Sequence, residues 1–389
     1  MNIVPGRQGT LRNNLSGELA YQSFLPASLH DVLPTLQLSA RQIDLLAACS
    51  RQVGMLSGMA QFVPNADMYL TMYVRKEALL SAQIEGTQCT FDDVLDPENS
   101  AATHEDVADV VNYVQASDFA VERMKTLPLC TRLLREVHRV LLQSGRGGEK
   151  QPGEIRVSQN WIGPQGCDIK SAFYLPPNVE DMRDALFELD KFINTEEGVD
   201  PVIKAALVHY QFESIHPFLD GNGRLGRLLI TLSLINDGVL DSPLFYPSYQ
   251  FKLNRQEYYA HLTAVRETGA FEDWIEFFCQ CMLDGAKDAV ASLNQLVELH
   301  NKTVALVRER FDRSVPNALK LLDVLEGNPI VDVNYVRDRL EVSRGTAANL
   351  VKEFETCGIL QRKDAERARY RTYMYEAYLH ILRQGSDPL

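Results

Sequence analysis

Apolar residues recur at helical spacing along most of the chain. Ile43, Leu45, Leu46, Val53 and Leu56 predict a helix over 41–63, with Ser39 as its N-cap and Pro64 as its stop. Tyr69, Met72, Tyr73, Leu79, Leu80 and Ile84 predict a second over 66–85, closed by Gly86, the residue type that takes the left-handed turn after a helix. The same period predicts helices over 104–125, 130–143, 179–194, 200–215, 223–237, 254–268 and 271–310. Residues 1–40 are rich in Pro, Ser and Leu without a period and read as an arm wrapped over the core. Between 151 and 177, Pro152, Gly153, Gly163, Pro164, Gly166, Pro176 and Pro177 break the pattern. The runs 155–157 and 172–175 suit short strands, so this stretch reads as a hairpin or flap set in a helical body.

Beyond Pro316 the pattern changes. Helices over 317–326, 332–340 and 343–357, with Ser343 as a cap and Gly358 as a stop, lead to strands 359–360 and 369–373 around a turn at 361–364. That order is a winged helix-turn-helix. The expected architecture is mainly α, a helical bundle with a small β-hairpin flap plus a C-terminal winged helix domain, divided near residue 313.

Composition narrows the functions. A chain of 389 residues with 45% hydrophobic and 23% charged residues builds a sizeable core in two or three domains. Acid exceeds base, 52 against 39, for a net charge of −13, which argues against wrapping nucleic acid over most of the surface. The seven cysteines form no CxxC pair, which argues against a zinc ribbon or a disulfide framework and for reduced thiols in the cytoplasm. No signal-peptide run and no apolar stretch of membrane-spanning length appears.

The chemistry concentrates in His216-Pro217-Phe218-Leu219-Asp220-Gly221-Asn222-Gly223-Arg224-Leu225-Gly226-Arg227. Gly221, Asn222 and Gly223 can turn backbone N–H groups inward at the start of an apolar helix, where the dipole also favours an anion. Arg224 and Arg227 lie on one face of that first turn, and planar guanidinium forks match phosphate oxygens. Asp220 is a hard oxygen ligand of the kind that holds Mg2+ on phosphates. His216 has the near-neutral pKa that suits taking a proton from a hydroxyl. Singly, each has an ordinary reading as a turn, a helix-end hydrogen bonder or a solvated face. Together they form one ordered pattern.

That pattern resembles the Fic family signature HPFx(D/E)GNGRxxR at every fixed position. The resemblance implies a helical enzyme that transfers AMP from ATP to a Ser, Thr or Tyr hydroxyl of a target protein. His216 would be the base, Phe218 would pack in the core and hold the nucleotide-binding loop, and Leu219 would belong to that loop. Asp220 would hold Mg2+, and Gly221, Asn222 and Gly223 would cradle the phosphates. Arg224 and Arg227 would meet the β- and γ-phosphates. The flap at 151–177, with a GxxR-like Gly153-Glu154-Ile155-Arg156, would dock the target segment as an added strand. Tyr258 and Tyr259 resemble a pair that lines the adenine pocket, although aromatics packing between helices explain them nearly as well.

Upstream, Ser81-Ala82-Gln83-Ile84-Glu85-Gly86 resembles the family's inhibitory pattern (S/T)xxxE(G/N). The resemblance implies that Glu85 pairs with Arg227 and takes the guanidinium that should hold the γ-phosphate. It also raises a bifunctional enzyme, in which Glu85 supports removal of AMP. The implied domains are 1–100 (N-terminal, with the inhibitory helix), 101–313 (catalytic core) and 314–389 (winged helix). The tail holds 11 basic and 11 acidic residues, and five basic against two acidic between Arg362 and Arg371. Ser343, Arg344, Thr346, Asn349 and Lys352 could face DNA, so a DNA-binding regulator with a nucleotide-sensing body is the rival reading, and a protein-binding tail an equal one. A His- and Asp-based metal hydrolase is a weaker third, for want of a clustered ligand set.

Overall fold

The computed structural model describes residues 6–60, 66–96, 105–164, 166–363 and 371–388. Two short strands, β1 (Gly9–Asn14) and β2 (Tyr21–Pro26), precede α1 (Leu29–Val32), α2 (Ala40–Ala60), α3 (Ala66–Ile84), α4 (Phe91–Leu95), α5 (Glu105–Met124) and α6 (Thr131–Leu141). After the flap segment come α7 (Val179–Thr195), α8 (Pro201–Ile215), α9 (Asn222–Asn236), α10 (Ser248–Leu253), α11 (Arg255–Thr268) and the long α12 (Phe271–Arg310). The tail adds α13 (Val315–Gly327), β3 (Ile330–Asp332), α14 (Val333–Leu340), α15 (Arg344–Thr356), β4 (Gln361–Arg362), β5 (Thr372–Met374) and α16 (Glu376–Leu382).

The centre of the bundle is α8. Every residue from Val202 to Ile215 is buried, which an apolar sequence without a polar face requires. It packs against α9, whose Leu225, Leu228, Leu229 and Leu232 are buried. Around this pair α2 lies along α12, α5 along α6, and α3 between α5 and α10. Ser39 caps α2 as expected, trading bonds with Gln42: Gln42 N–H donates to Ser39 Oγ at 3.3 Å and Ser39 N–H to Gln42 Oε1 at 2.9 Å. The tail's α13 packs on α3 and its α16 on α12, and one apolar cluster runs from Leu29 to Leu382.

Three expectations need correction. The arm over residues 1–40 contains an antiparallel hairpin, β1 on β2, in register from Gly9↔Pro26 to Asn14↔Tyr21. The expected strand at 155–157 is absent, because the Arg156 side chain is buried and its backbone N–H donates to Pro217 O at 3.0 Å. Among the described residues, pairing in the flap is the antiparallel bridge Ile162↔Tyr174, and the hairpin backs it through Phe24 N–H donating to Leu175 O at 2.9 Å. In the tail, the strand expected at 359–360 falls instead at Gln361–Arg362, since Ile359 and Leu360 N–H both turn back to Phe354 O. The tail sheet has the order β3-β5-β4. The expected positions 61–64, 97–104 and 364–370, including most of the proposed wing, lie outside the described residues.

Candidate functional site

Pro217 cannot continue α8, so the chain turns at His216, which caps the helix in the left-handed region (φ 50°, ψ 62°). That conformation is strained for a residue with a Cβ, and the surroundings hold it. Arg156, wholly buried, donates from Nε to His216 O at 3.0 Å, and its fork also reaches Ser158 O at 3.1 Å and Pro177 O at 2.5 Å. Asn160 donates to Phe218 O at 2.9 Å. The GxxR-like arginine is thus a brace for the turn.

His138 is a second brace, missed in the sequence. Gly153 N–H donates to His138 Nδ1 at 2.8 Å, so Nε2 carries the proton and donates to Asp220 O at 2.9 Å. Its ring stacks on Phe218 at 3.8 Å, which places Phe218 in the core. Burial pulls the His138 pKa down to about 4, keeping the ring neutral in this role.

At the start of α9, Gly221 takes φ 74° and Asp220 Oδ1 accepts from Gly221 N–H at 2.6 Å. Asn222 turns its amide inward: Oδ1 accepts from Phe218 N–H at 2.9 Å and Nδ2 donates to Phe218 O at 2.8 Å. The Asn222 side chain thus ties the loop together while one amide N–H is left over, and the residue also lines the cavity. The backbone at this helix start keeps the orphan N–H groups of any first turn.

These pieces border one cavity of about 360 Å3. Of the sequence-predicted residues, Glu85, His216, Leu219, Asp220, Gly221, Asn222, Gly223, Arg224, Arg227, Tyr258 and Tyr259 line it. Ser81 backs the cavity through Arg227, Phe218 lies in the core, and Gly86 is exposed outside it. Thr87, Asp109, Arg146, Ile162 and Glu213 line it too and were not singled out. Two of these carry a legible signal: Glu213 lies one turn before His216 on α8, and Asp109 is a lone acid among Val107, Ala108 and Val110.

His216 Nδ1 contacts Glu213 O at 3.3 Å, the contact of an Nδ1–H donor, which leaves Nε2 as the basic nitrogen. Burial pulls its pKa down to about 4. Arg227 is buried and donates from Nε to Ser81 Oγ at 2.9 Å, and from one amine to Ser81 O at 2.9 Å and Glu85 Oε1 at 2.7 Å. Glu85 is held there by the helix end itself. Thr87 N–H donates to Ala82 O and Gly86 N–H to Gln83 O, the paired bonds of a Schellman turn with Gly86 at φ 99°. The Glu85 carboxylate also covers the start of α9, since a Cβ on Gly223 would lie 2.3 Å from Glu85 Oε1. Burial pushes its pKa up, but the Arg227 charge outweighs this and holds it below the usual range.

Arg224 pairs with the buried Asp109 at 3.1 Å. Tyr258 is buried in an aromatic cluster, its hydroxyl 2.9 Å from His209 Nε2, while Tyr259 is partly exposed at the cavity edge. Glu213 is buried, its Oε1 without a hydrogen-bond partner among the described residues, and burial pushes its pKa up to about 7. Among the described residues no group of three or more His, Cys, Asp or Glu could hold a metal unaided. Asp220 offers one carboxylate beside the glycine-opened helix start, a hard oxygen donor that would suit a Mg2+ whose other ligands come from elsewhere.

A glycine-opened helix start, two guanidinium groups, a neutral imidazole and the Glu85 carboxylate share one cavity within a helical bundle. Residues 43–122 match the Fic/DOC family N-terminal region and residues 128–234 match the Fic/DOC family. It is 28% identical over 222 residues to a protein adenylyltransferase Fic of Drosophila sechellia, covering 56% of this chain and 40% of that protein. With the protein of the same name from Drosophila grimshawi it shares 29% over 173 residues, 44% of this chain and 31% of the relative. The chain thus spans well under half the length of these relatives. The fold is similar to the crystal structure of a Fic family protein from Desulfovibrio desulfuricans G20, with a TM-score of 0.55 at 20% identity over 87% of this chain and 97% of that one. Among the described residues, no helix is long and apolar enough to cross a membrane.

Proposed function

We propose that this protein is an adenylyltransferase that moves AMP from ATP to a Ser, Thr or Tyr hydroxyl of a target protein, and that Glu85 restrains it. The observation that carries this reading is one cavity holding a neutral His216 and an Arg227 already occupied by a carboxylate. His216 Nε2 takes the hydroxyl proton as the oxygen attacks the α-phosphorus. The bond to the bridging oxygen breaks, and pyrophosphate leaves with that electron pair. Arg224 and Arg227, with the N–H groups of Asn222 and Gly223, meet the charge that moves to the leaving group. Asp220 would hold a Mg2+, which would supply further neutralisation of that charge. The target segment docks on the 151–177 flap, whose Ile162 borders the cavity.

In this reading 1–100 is the restraining region, 101–313 the catalytic core and 314–389 a winged helix, the site of action being the cytoplasm. The order of helix, strand, helix, helix and two strands supports the winged reading of the tail. Ser343, Arg344, Asn349 and Lys352 are exposed. Two basic residues of the wing are engaged inside the chain, Arg362 with Glu355 and Lys363 with Asp96, which favours a protein partner over DNA. Removal of AMP by the same site remains the alternative activity, supported by Glu85 and His216 sharing the cavity.

The test is incorporation of labelled AMP from ATP with Mg2+. Glu85→Gly should raise incorporation by about tenfold or more over wild type, on the order expected for freeing one charge-assisted phosphate contact. Adding His216→Ala should remove it. Equal labelling of wild type and Glu85→Gly removes the restraint, and labelling that survives His216→Ala removes the mechanism.

A further inference from the structure

Two arginines of the cavity belong to the signature helix, but a third comes from elsewhere. Arg146 lines the same space from the loop after α6. It sits between Gly145 at φ 74° and Gly147 at φ 82°, a backbone that places its side chain at the cavity mouth. Its side chain is 41% exposed, against 6% for Arg224 and 1% for Arg227, so among the three it is the one with room to move. The loop it rides on touches the signature directly: a Cβ on Gly147 would lie 2.5 Å from Asp220 Oδ2.

Each of the three guanidinium groups rests on a carboxylate. Arg227 rests on Glu85 at 2.7 Å, Arg224 on Asp109 at 3.1 Å, and Arg146 on Asp106 with Asp109 at 3.9 Å. Asp109 fixes the Arg146 loop as well, accepting from Arg146 N–H at 3.2 Å. Asp106 is only partly buried and also accepts from Gln88 N–H at 2.9 Å, so it is a resting partner on the solvent side. A polyphosphate entering this cavity carries several negative charges and offers a stronger acceptor than one hydrated carboxylate.

We infer that Arg146 is a third phosphate-binding guanidinium, which leaves Asp106 and closes over the outer phosphates of a nucleoside triphosphate. It grips the part of the substrate that departs as pyrophosphate, and has no contact with the α-phosphate that stays. This rests on the adenylyl-transfer reading and adds a residue that the signature does not contain.

The test uses the full chain carrying Glu85→Gly, titrated by calorimetry with α,β-methylene-ATP, inorganic pyrophosphate and AMP. Arg146→Gln should weaken the triphosphate analogue and pyrophosphate by about tenfold, the loss expected for one charge-assisted fork, and leave AMP within about twofold. Arg146→Lys, which keeps charge but not the fork, should fall between. The thermal midpoint should hold, because the side chain is exposed. Unchanged affinity for the analogue and pyrophosphate, or an equal loss for AMP, overturns the assignment of Arg146 alone. Failure of the Glu85→Gly chain itself to bind the analogue overturns the nucleotide reading and this inference together.

Discussion

His216 holds its proton on Nδ1 and is neutral, with a pKa pulled by burial to about 4. A base that is already unprotonated at pH 6 gives no acid limb near the ordinary histidine value. Glu213, one turn away and pushed by burial to about 7, is the cavity group that titrates in the neutral range. It gains a negative charge as pH rises through that value, beside Arg227, whose charge favours the ionised form. We therefore expect the kcat of AMP transfer by Glu85→Gly to show no inflection at 6.5 from His216. Any inflection near 7 should vanish in Glu213→Gln. An inflection that persists in Glu213→Gln places the titration on His216 and contradicts its burial. Its place one turn before His216 is the only mark Glu213 leaves in the sequence. In the sequence it is one more polar position on an otherwise apolar helix, and only the packing of α8 against Gly226, where a Cβ would lie 2.2 Å from its Oε1, reveals that it has no route to solvent on that side.

At the scale of elements, the flap acts through a buried arginine. Arg156 spans the carbonyls of His216, Ser158 and Pro177, so it ties the start and end of the flap to the strained turn that aims the imidazole. Arg156→Lys keeps a charge but cannot span three carbonyls. It should cost about 2–3 kcal/mol of stability, as for hydrogen bonds to a charged group. It should also lower kcat for AMP transfer more than it weakens binding of a triphosphate analogue, because Arg156 acts on His216 and not on the phosphate loop. A purely proportional loss of both would count against the brace. The long elements were legible because their apolar residues repeat: α2, α3, α8, α11 and α12 fall within a few residues of their expected bounds. The first hairpin was not. In β1, Gly-Thr-Leu-Arg-Asn-Asn, the four central residues are all exposed, so no alternation is written into it. The pairing comes from β2, which has Phe24 and Pro26 to bury. The short α4, α10 and α16 escaped for lack of length, and α4 is set by a local device instead, the Thr90–Asp93 capping box. The signature loop was legible as chemistry, whereas its supports, His138 and Arg156, reach it only through the fold.

Over the whole molecule, the tail is tied to the end of the helix that carries Glu85. Gln83, two residues before it, donates from its amide to Ser386 O at 2.8 Å and to Cys89 O at 3.0 Å. The buried Lys252 of α10 donates to Gln83 Oε1 at 2.6 Å, to Gly385 O at 3.0 Å and to Asp387 O. Arg383 grips Asp92 of α4 with a fork at 2.7 and 2.8 Å. The last turn of α3, the short α10 and the chain after α16 thus share one ammonium group. Lys252→Met keeps much of the stem and removes every one of these donors, leaving an amide oxygen and two carbonyls without them. By the size of a charged hydrogen bond the loss should be about 2–3 kcal/mol, read as a lower unfolding midpoint. Because Glu85 is aimed by the Schellman turn that this knot supports, Lys252→Met should also raise AMP incorporation in the wild-type background, by less than Glu85→Gly does. In the Glu85→Gly background it should add nothing, since no carboxylate remains to be misplaced. A rise that persists on top of Glu85→Gly would mean that Lys252 acts on the cavity by another route, and the mechanical link from tail to plug would fail.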